Sequence, residues 1–237
     1  LARYLETADP ANQASLFAGE PALLLLTRSD DERLRTLISD NEHNPHWELL
    51  YGSTGSILAA RAAGFDTEAQ RLATTLVAER DDDGLWTQQF IFHNHSARYL
   101  GPAHGFAGNV HVLRGFAPDD ELRRWIDTVL RAHAVWDAGT VNWPPVVGDE
   151  ITRTQWCHGA PGIVATLGDL MAEDLLLAGA ETTWRNGPLD KGPGLCHGTA
   201  GNGYALLKTF AVTGDELWLE RARSFAVAAL EQLQYRY

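Results

Sequence analysis

Two cysteines and no long apolar run stand out as scarcities in a chain of 237 residues. Two thiols are too few for a disulfide framework, and each stands directly before a histidine in a glycine-bearing stretch. A reduced, metal-binding pair in the cytoplasm is the expectation. The longest strongly apolar run, "ALLLL" at 22–26, falls far short of the roughly 20 residues that span a bilayer, so no transmembrane helix is expected. Basic residues are also in short supply: 19 Lys and Arg against 31 Asp and Glu give a formal net charge of −12. That field repels a phosphate backbone, and nucleic acid is not an expected partner. The N-terminus lacks the basic, apolar, small-residue order of a secretory signal, and Leu1 already reads as helical, so the chain is expected to start mid-protein. Sustained strand alternation is missing too; "LWTQQFIF" at 85–92 comes nearest and reads as an extended connection.

What is present is 45% hydrophobic residues, enough for a buried core, and a repeat. A Gly-x-x-Gly turn followed by an apolar stretch occurs in "YGSTGSILAA" (Gly52, Gly55), "HGFAGNVHVL" (Gly105, Gly108), "HGAPGIVATL" (Gly159, Gly162) and "HGTAGNGYALL" (Gly198, Gly201). A weaker fifth copy, "FAGEPALLLL", keeps Gly19 and has Ala22 in the second slot. The leading glycines are 33, 53, 54 and 39 residues apart, room for two helices of about 11 to 12 residues with loops.

The unit is therefore a helix pair. "DELWLERARSFAVAALEQL" follows Gly214 and sets Leu219, Ala222, Phe225, Ala226, Ala229, Leu230 and Leu233 at helical spacing. "DDELRRWIDTVLRAHAVW" does the same with Leu122, Trp125, Ile126, Val129 and Leu130. Such helices are amphipathic, whereas the short ones after each glycine turn are apolar nearly all round and should form an inner layer. Buried inner helices paired with amphipathic outer ones predict an all-α fold, an α/α toroid of helix hairpins, with the Pro-rich loop "VNWPPVVGDE" at 141–150 leading into the first Cys-His motif.

In such a ring the inner helices start around one end of a central cavity, where side chains from several repeats converge. Cys157, His158, Cys196 and His197 offer more ligands than one zinc needs; three protein ligands leave a site open for chemistry, and four make a structural site. Spacing alone does not say which histidine binds. Buried cysteines also arise by duplication without any metal. His104, however, stands directly before Gly105 as His158 and His197 stand before Gly159 and Gly198, so three repeats send a histidine to one rim.

"ELLYGSTG", "HGFAG", "WCHGAPGI" and "KGPGLCHGTAGNGYALL", in that order over most of the chain, resemble the lanthionine synthetase C-like family, the LanC cyclases and their LanC-like relatives. That resemblance implies a toroid of seven helix pairs holding one Zn2+ by two cysteines and a histidine. The matching ligands are Cys157, Cys196 and His197, with His158 a neighbour. It also implies His104 as acid/base, Arg153 as an active-site arginine, Glu48 where the LanC-like branch has glutamate, and Lys191 as a substrate-binding lysine of the glutathione-using branch. Glu48, Lys191 and "WCHGAPG" place the chain nearer that branch. Five repeats against seven imply a single domain over residues 1–237 that lacks the first and last repeats.

The implied chemistry is zinc-dependent addition of a thiol, from a peptide cysteine or glutathione, to dehydroalanine or dehydrobutyrine, giving a thioether. Dehydrated peptide, glutathione and a dehydratase are the implied partners. A zinc-containing toroidal scaffold that binds without turnover is the alternative. An α/α-barrel glycosidase would need a carboxylate pair in the cavity; "RDDDG" at 80–84 offers carboxylates but reads as a solvated loop, and this option leaves the Cys-His pairs unexplained.

Overall fold

Short apolar stretches opened by glycine, each followed by an amphipathic stretch, give helix pairs in the computed structural model, which describes residues 12–90 and 95–234. The helical start expected at Leu1 lies outside the described residues. The chain divides into two compact units, one of Leu1–Arg98 with His104–Phe116, the other of Tyr99–Ala103 with Ala117–Tyr237.

In the first unit, helices α1 (Pro21–Thr27) and α2 (Asp31–Asp40) precede the pair α3 (Ser53–Ala63) and α4 (Asp66–Ala78). Asp30 starts α2 by accepting from the Arg33 N–H at 2.8 Å. Helix α3 is buried at Ser53, Thr54, Gly55, Ser56, Ile57, Ala59 and Ala60, almost all round, whereas α4 buries one stripe, Ala69, Leu72, Ala73 and Leu76. The expected inner and outer characters both appear. Strands β1 (Gln88–Phe90) and β2 (His95–Ala97) then pair antiparallel, and α5 (Phe106–Val112) follows. The stretch read as an extended connection thus does pair, but over three residues, too few for alternation to register.

The second unit holds the outer helix α6 (Asp119–His133), the hairpin of β3 (Val135–Asp137) and β4 (Thr140–Asn142), and the pairs α7 (Ala160–Leu167) with α8 (Glu173–Asn186) and α9 (Thr199–Thr213) with α10 (Glu216–Gln234). Leu122, Ile126, Val129 and Leu130 form the buried stripe of α6, as their spacing predicts. In α10 the buried face is Trp218, Ala222, Phe225 and Ala229, packed with Ala180 and Leu206. Leu230 and Leu233, expected on that face, are 61% and 45% exposed. Leu233 shares the helix face of Ala222, so spacing alone does not decide which positions of this face are covered. No helix among the described residues is long and apolar enough to cross a membrane.

The second glycines of the two cysteine-bearing turns are required by close approach. A Cβ on Gly162 would run into the Trp156 carbonyl, and one on Gly201 into the Leu195 carbonyl. In both repeats the residue struck is the one directly before the cysteine, so the absent side chains let the cysteine strands fold back onto the helix starts.

Two buried asparagines occupy the slot after this glycine, with different partners. In the first unit Asn109 donates to the Trp47 carbonyl at 2.8 Å and accepts from the Thr54 hydroxyl at 2.7 Å. In the second unit Asn202 donates to the Thr154 carbonyl at 3.1 Å, but its buried Oδ1 has no donor among the described residues. The slot of Thr54 in α3 is filled by Pro161 in α7, which has neither hydroxyl nor N–H.

Candidate metal centre and acid–base pair

Two glycine turns carry the chemistry-bearing side chains of the second unit. Before α7 the segment doubles back, with the Gln155 N–H donating to the His158 carbonyl at 3.0 Å and the His158 N–H to the Gln155 carbonyl at 3.1 Å. Before α9 the second motif comes alongside, and the Cys157 N–H donates to the Cys196 carbonyl at 3.2 Å. Gly101 completes the fit, because a Cβ there would strike the Cys157 carbonyl.

The result is that one ligand atom each from Cys157, Cys196 and His197 lies within 4.8 Å of the others. Both cysteines are free thiols. Burial pushes the Cys196 thiol up to about 11, helped by the charge of and hydrogen bond to Cys157. Two sulfurs that resist sharing negative charge are what a divalent cation would relieve. Two thiolates and an imidazole suit zinc, whose bond lengths set tetrahedral donors about 3.5–3.8 Å apart, a modest contraction from this spacing. The residues present fit the ion. Cys157 is buried, Cys196 half-buried and His197 exposed, so the donor set opens on the His197 side. The ring of His158 lies outside this set, 5.7 Å from that of Tyr99.

Beside the donors is a cavity of about 490 Å³ whose lining includes Asn142, Thr152, Arg153, Gln155, Asn186 and Lys191. Arg153 is exposed there, four residues from Cys157 in sequence. Lys191 donates to Gln155 Oε1 at 2.9 Å, and Gln155 Nε2 donates to Cys157 Sγ at 2.9 Å. Tyr99 sits nearby with its phenol pushed up by burial and by the charge of Asp149, against the pull of Arg153.

In the first unit, His104 and Glu48 form a pair. Glu48 is fully buried, and its Oε2 meets His104 Nδ1 at 2.8 Å. Its Oε1 accepts from the Gly52 N–H at 3.0 Å and from the Tyr51 N–H. A carboxylate so held is an acceptor for the Nδ1 N–H and fixes the orientation of the ring. Gln88 secures the backbone by donating to the His104 carbonyl at 2.6 Å. Nearby His46 has its imidazole pushed down, by burial first and then by His104, with Glu48 opposing.

Gln155, Tyr99 and His46 escaped the sequence reading. Gln155 and Cys157 meet because the chain turns tightly between Gln155 and His158, a turn that no residue type in the sequence announces.

The family model described as lanthionine synthetase C-like protein matches residues 19–237. Among curated proteins, the chain is 28% identical over 204 residues to glutathione S-transferase LANCL1 of Danio rerio, covering 76% of this chain and 50% of that protein. It is 28% identical over 225 residues to LanC-like protein GCL1 of Arabidopsis thaliana, covering 86% and 51%. The chain thus spans about half the length of the curated relatives it matches. Among solved structures, nisin cyclase superposes with a TM-score of 0.68 at 17% identity, covering 94% of this chain and 70% of that one. This likeness shows the fold, the α/α toroid class of helix hairpins.

Proposed function

Because the chain belongs to the lanthionine synthetase C-like family, we propose that it is part of a zinc-dependent enzyme that adds a thiol to dehydroalanine or dehydrobutyrine residues. The observation that carries this reading is the Cys157, Cys196 and His197 donor set, gathered from two motifs 39 residues apart and open on one side. These three would hold the zinc, which when bound favours the thiolate form of a substrate thiol near neutral pH. Addition forms the S–C bond at the β-carbon and moves the alkene electron pair toward the substrate carbonyl. His104 then delivers a proton to the α-carbon and is reprotonated from solvent, which has taken up the proton the thiol gave up, while Glu48 holds its ring. Arg153 offers a guanidinium to the enolate oxygen.

Glutathione is the favoured thiol. Lys191 and Arg153 bring two cations to the cavity beside the donors, and glutathione carries two carboxylates. A peptide cysteine is the other candidate, with a dehydratase as the class of enzyme that must supply the alkene in either case. Free, adjacent thiols suit a reducing compartment, and a cytoplasmic location belongs to this proposal.

The test is incubation of the zinc-loaded protein with a dehydroalanine peptide and glutathione, followed by mass spectrometry. A thioether product is expected, and its formation should fall when Arg153 or Lys191 is replaced by Met. Bound zinc and bound glutathione without product would support a non-catalytic scaffold instead.

A further inference from the structure

We propose that Gln155 is a positioning residue for the sulfur donors, with its amide oriented by Lys191. Gln155 is 1% exposed, and nothing in the mechanism above uses it. Its backbone is held to His158 by two hydrogen bonds, at 3.0 and 3.1 Å, and its side chain lies against Cys157.

The chemistry of the two ends fixes the amide's sense. Lys191 Nζ stands 2.9 Å from one end, and an ammonium has only donors, so that end is the carbonyl oxygen. The NH2 group therefore faces Cys157 Sγ, at 2.9 Å. A flipped amide would set NH2 against ammonium and oxygen against sulfur, two repulsions at once.

An N–H aimed at sulfur holds the Cys157 side chain in one orientation and faces it with a neutral donor. A ligand set with two thiolates accumulates negative charge, and a donor on one sulfur spreads part of it. Lys191, exposed at the cavity, thus acts on a buried sulfur it does not touch, through the dipole of one amide. Its remaining ammonium hydrogens stay available to substrate. The inference rests on the zinc reading.

The experiment compares zinc affinity, by competition with a chromophoric chelator, in the full chain and in Gln155→Leu, Gln155→Glu, Lys191→Met and Gln155→Leu/Lys191→Met variants. Partners one shell out from a metal typically contribute 10–100-fold in affinity. Gln155→Leu is expected to weaken zinc by about 10-fold or more, and Gln155→Glu, which sets a carboxylate against the sulfur, by more still. Lys191→Met should lose less than Gln155→Leu, and the double variant no more than Gln155→Leu alone, because Lys191 acts through the amide. In cobalt-loaded protein the sulfur-to-metal charge-transfer band should shift in the Gln155 variants. Should Gln155→Leu fail to fold, the exposed Lys191→Met carries the test. Zinc affinity within twofold of wild type in Gln155→Leu, or additive losses in the double variant, overturns the inference alone. A wild-type chain that takes no zinc overturns the functional reading and this inference together.

Discussion

The two units build chemistry on the same glycine turn and reach opposite results. At His104 the turn presents a basic ring backed by a buried carboxylate, a pair suited to moving one proton. At Cys157 and Cys196 the same backbone presents sulfur, with a neutral amide in place of the carboxylate. The residues that buttress the two side chains differ in kind: Glu48 sets a buried carboxylate against the His104 ring, and Gln155 sets a neutral amide N–H against the Cys157 sulfur.

The sharpest way to break this contrast is to separate proton chemistry from metal binding. Cys157→Ala and Cys196→Ala should each reduce zinc from about one per chain to near none, read by elemental analysis. His104→Asn should keep full zinc while thioether formation drops by about 10²–10⁴-fold. Zinc lost with His104 would merge the two centres into one and end the contrast.

A smaller effect concerns the paired asparagines. Asn109→Leu removes two buried hydrogen bonds and leaves the Trp47 carbonyl and Thr54 hydroxyl to find others, at a cost of about 2–3 kcal/mol. Asn202→Leu removes one bond and also relieves an Oδ1 without a donor, so its cost should be about 1 kcal/mol or less. Denaturant midpoints measure both, and equal losses would mean that the Pro161 slot is not what distinguishes the repeats.

The smallest effect is pH-dependent. The folded first unit resists protonating His46, whose imidazole lies below its ordinary 6.5, while the unfolded chain takes the proton at that value. The unfolded state then binds more protons, so stability is full above that pH and declines as pH falls through it. Melting temperature between pH 8 and 5 should fall more in wild type than in His46→Phe; parallel curves would remove His46 as the cause.

Much of this was legible in the sequence because glycine turns and helical periodicity are local. The helix pairs around Gly52, Gly159 and Gly198 follow from spacing, as does the buried stripe of α6. The exposure of Leu230 and Leu233 does not, because both stand at helical spacing with buried residues and only packing decides which positions are covered. The β3–β4 hairpin was missed for a different reason: it turns on Ala138 and Gly139, both with positive φ, and Ala138 carries no turn signal. At the donor set, Cys157, Cys196 and His197 stood out by residue type. Gln155 did not, since an amide becomes informative only once Lys191 and a sulfur are seen on either side of it.

The hydrogen bond from the Cys157 N–H to the Cys196 carbonyl has a consequence for how metal and chain depend on each other. Holding those motifs together closes a loop whose entropic cost grows only with the logarithm of its length, and a backbone hydrogen bond carries part of that closure. The binding energy of an ion is then not the only thing that joins the two motifs. Chelation should strip the metal and leave the helices standing, unlike a zinc finger, where the ion is what closes the chain.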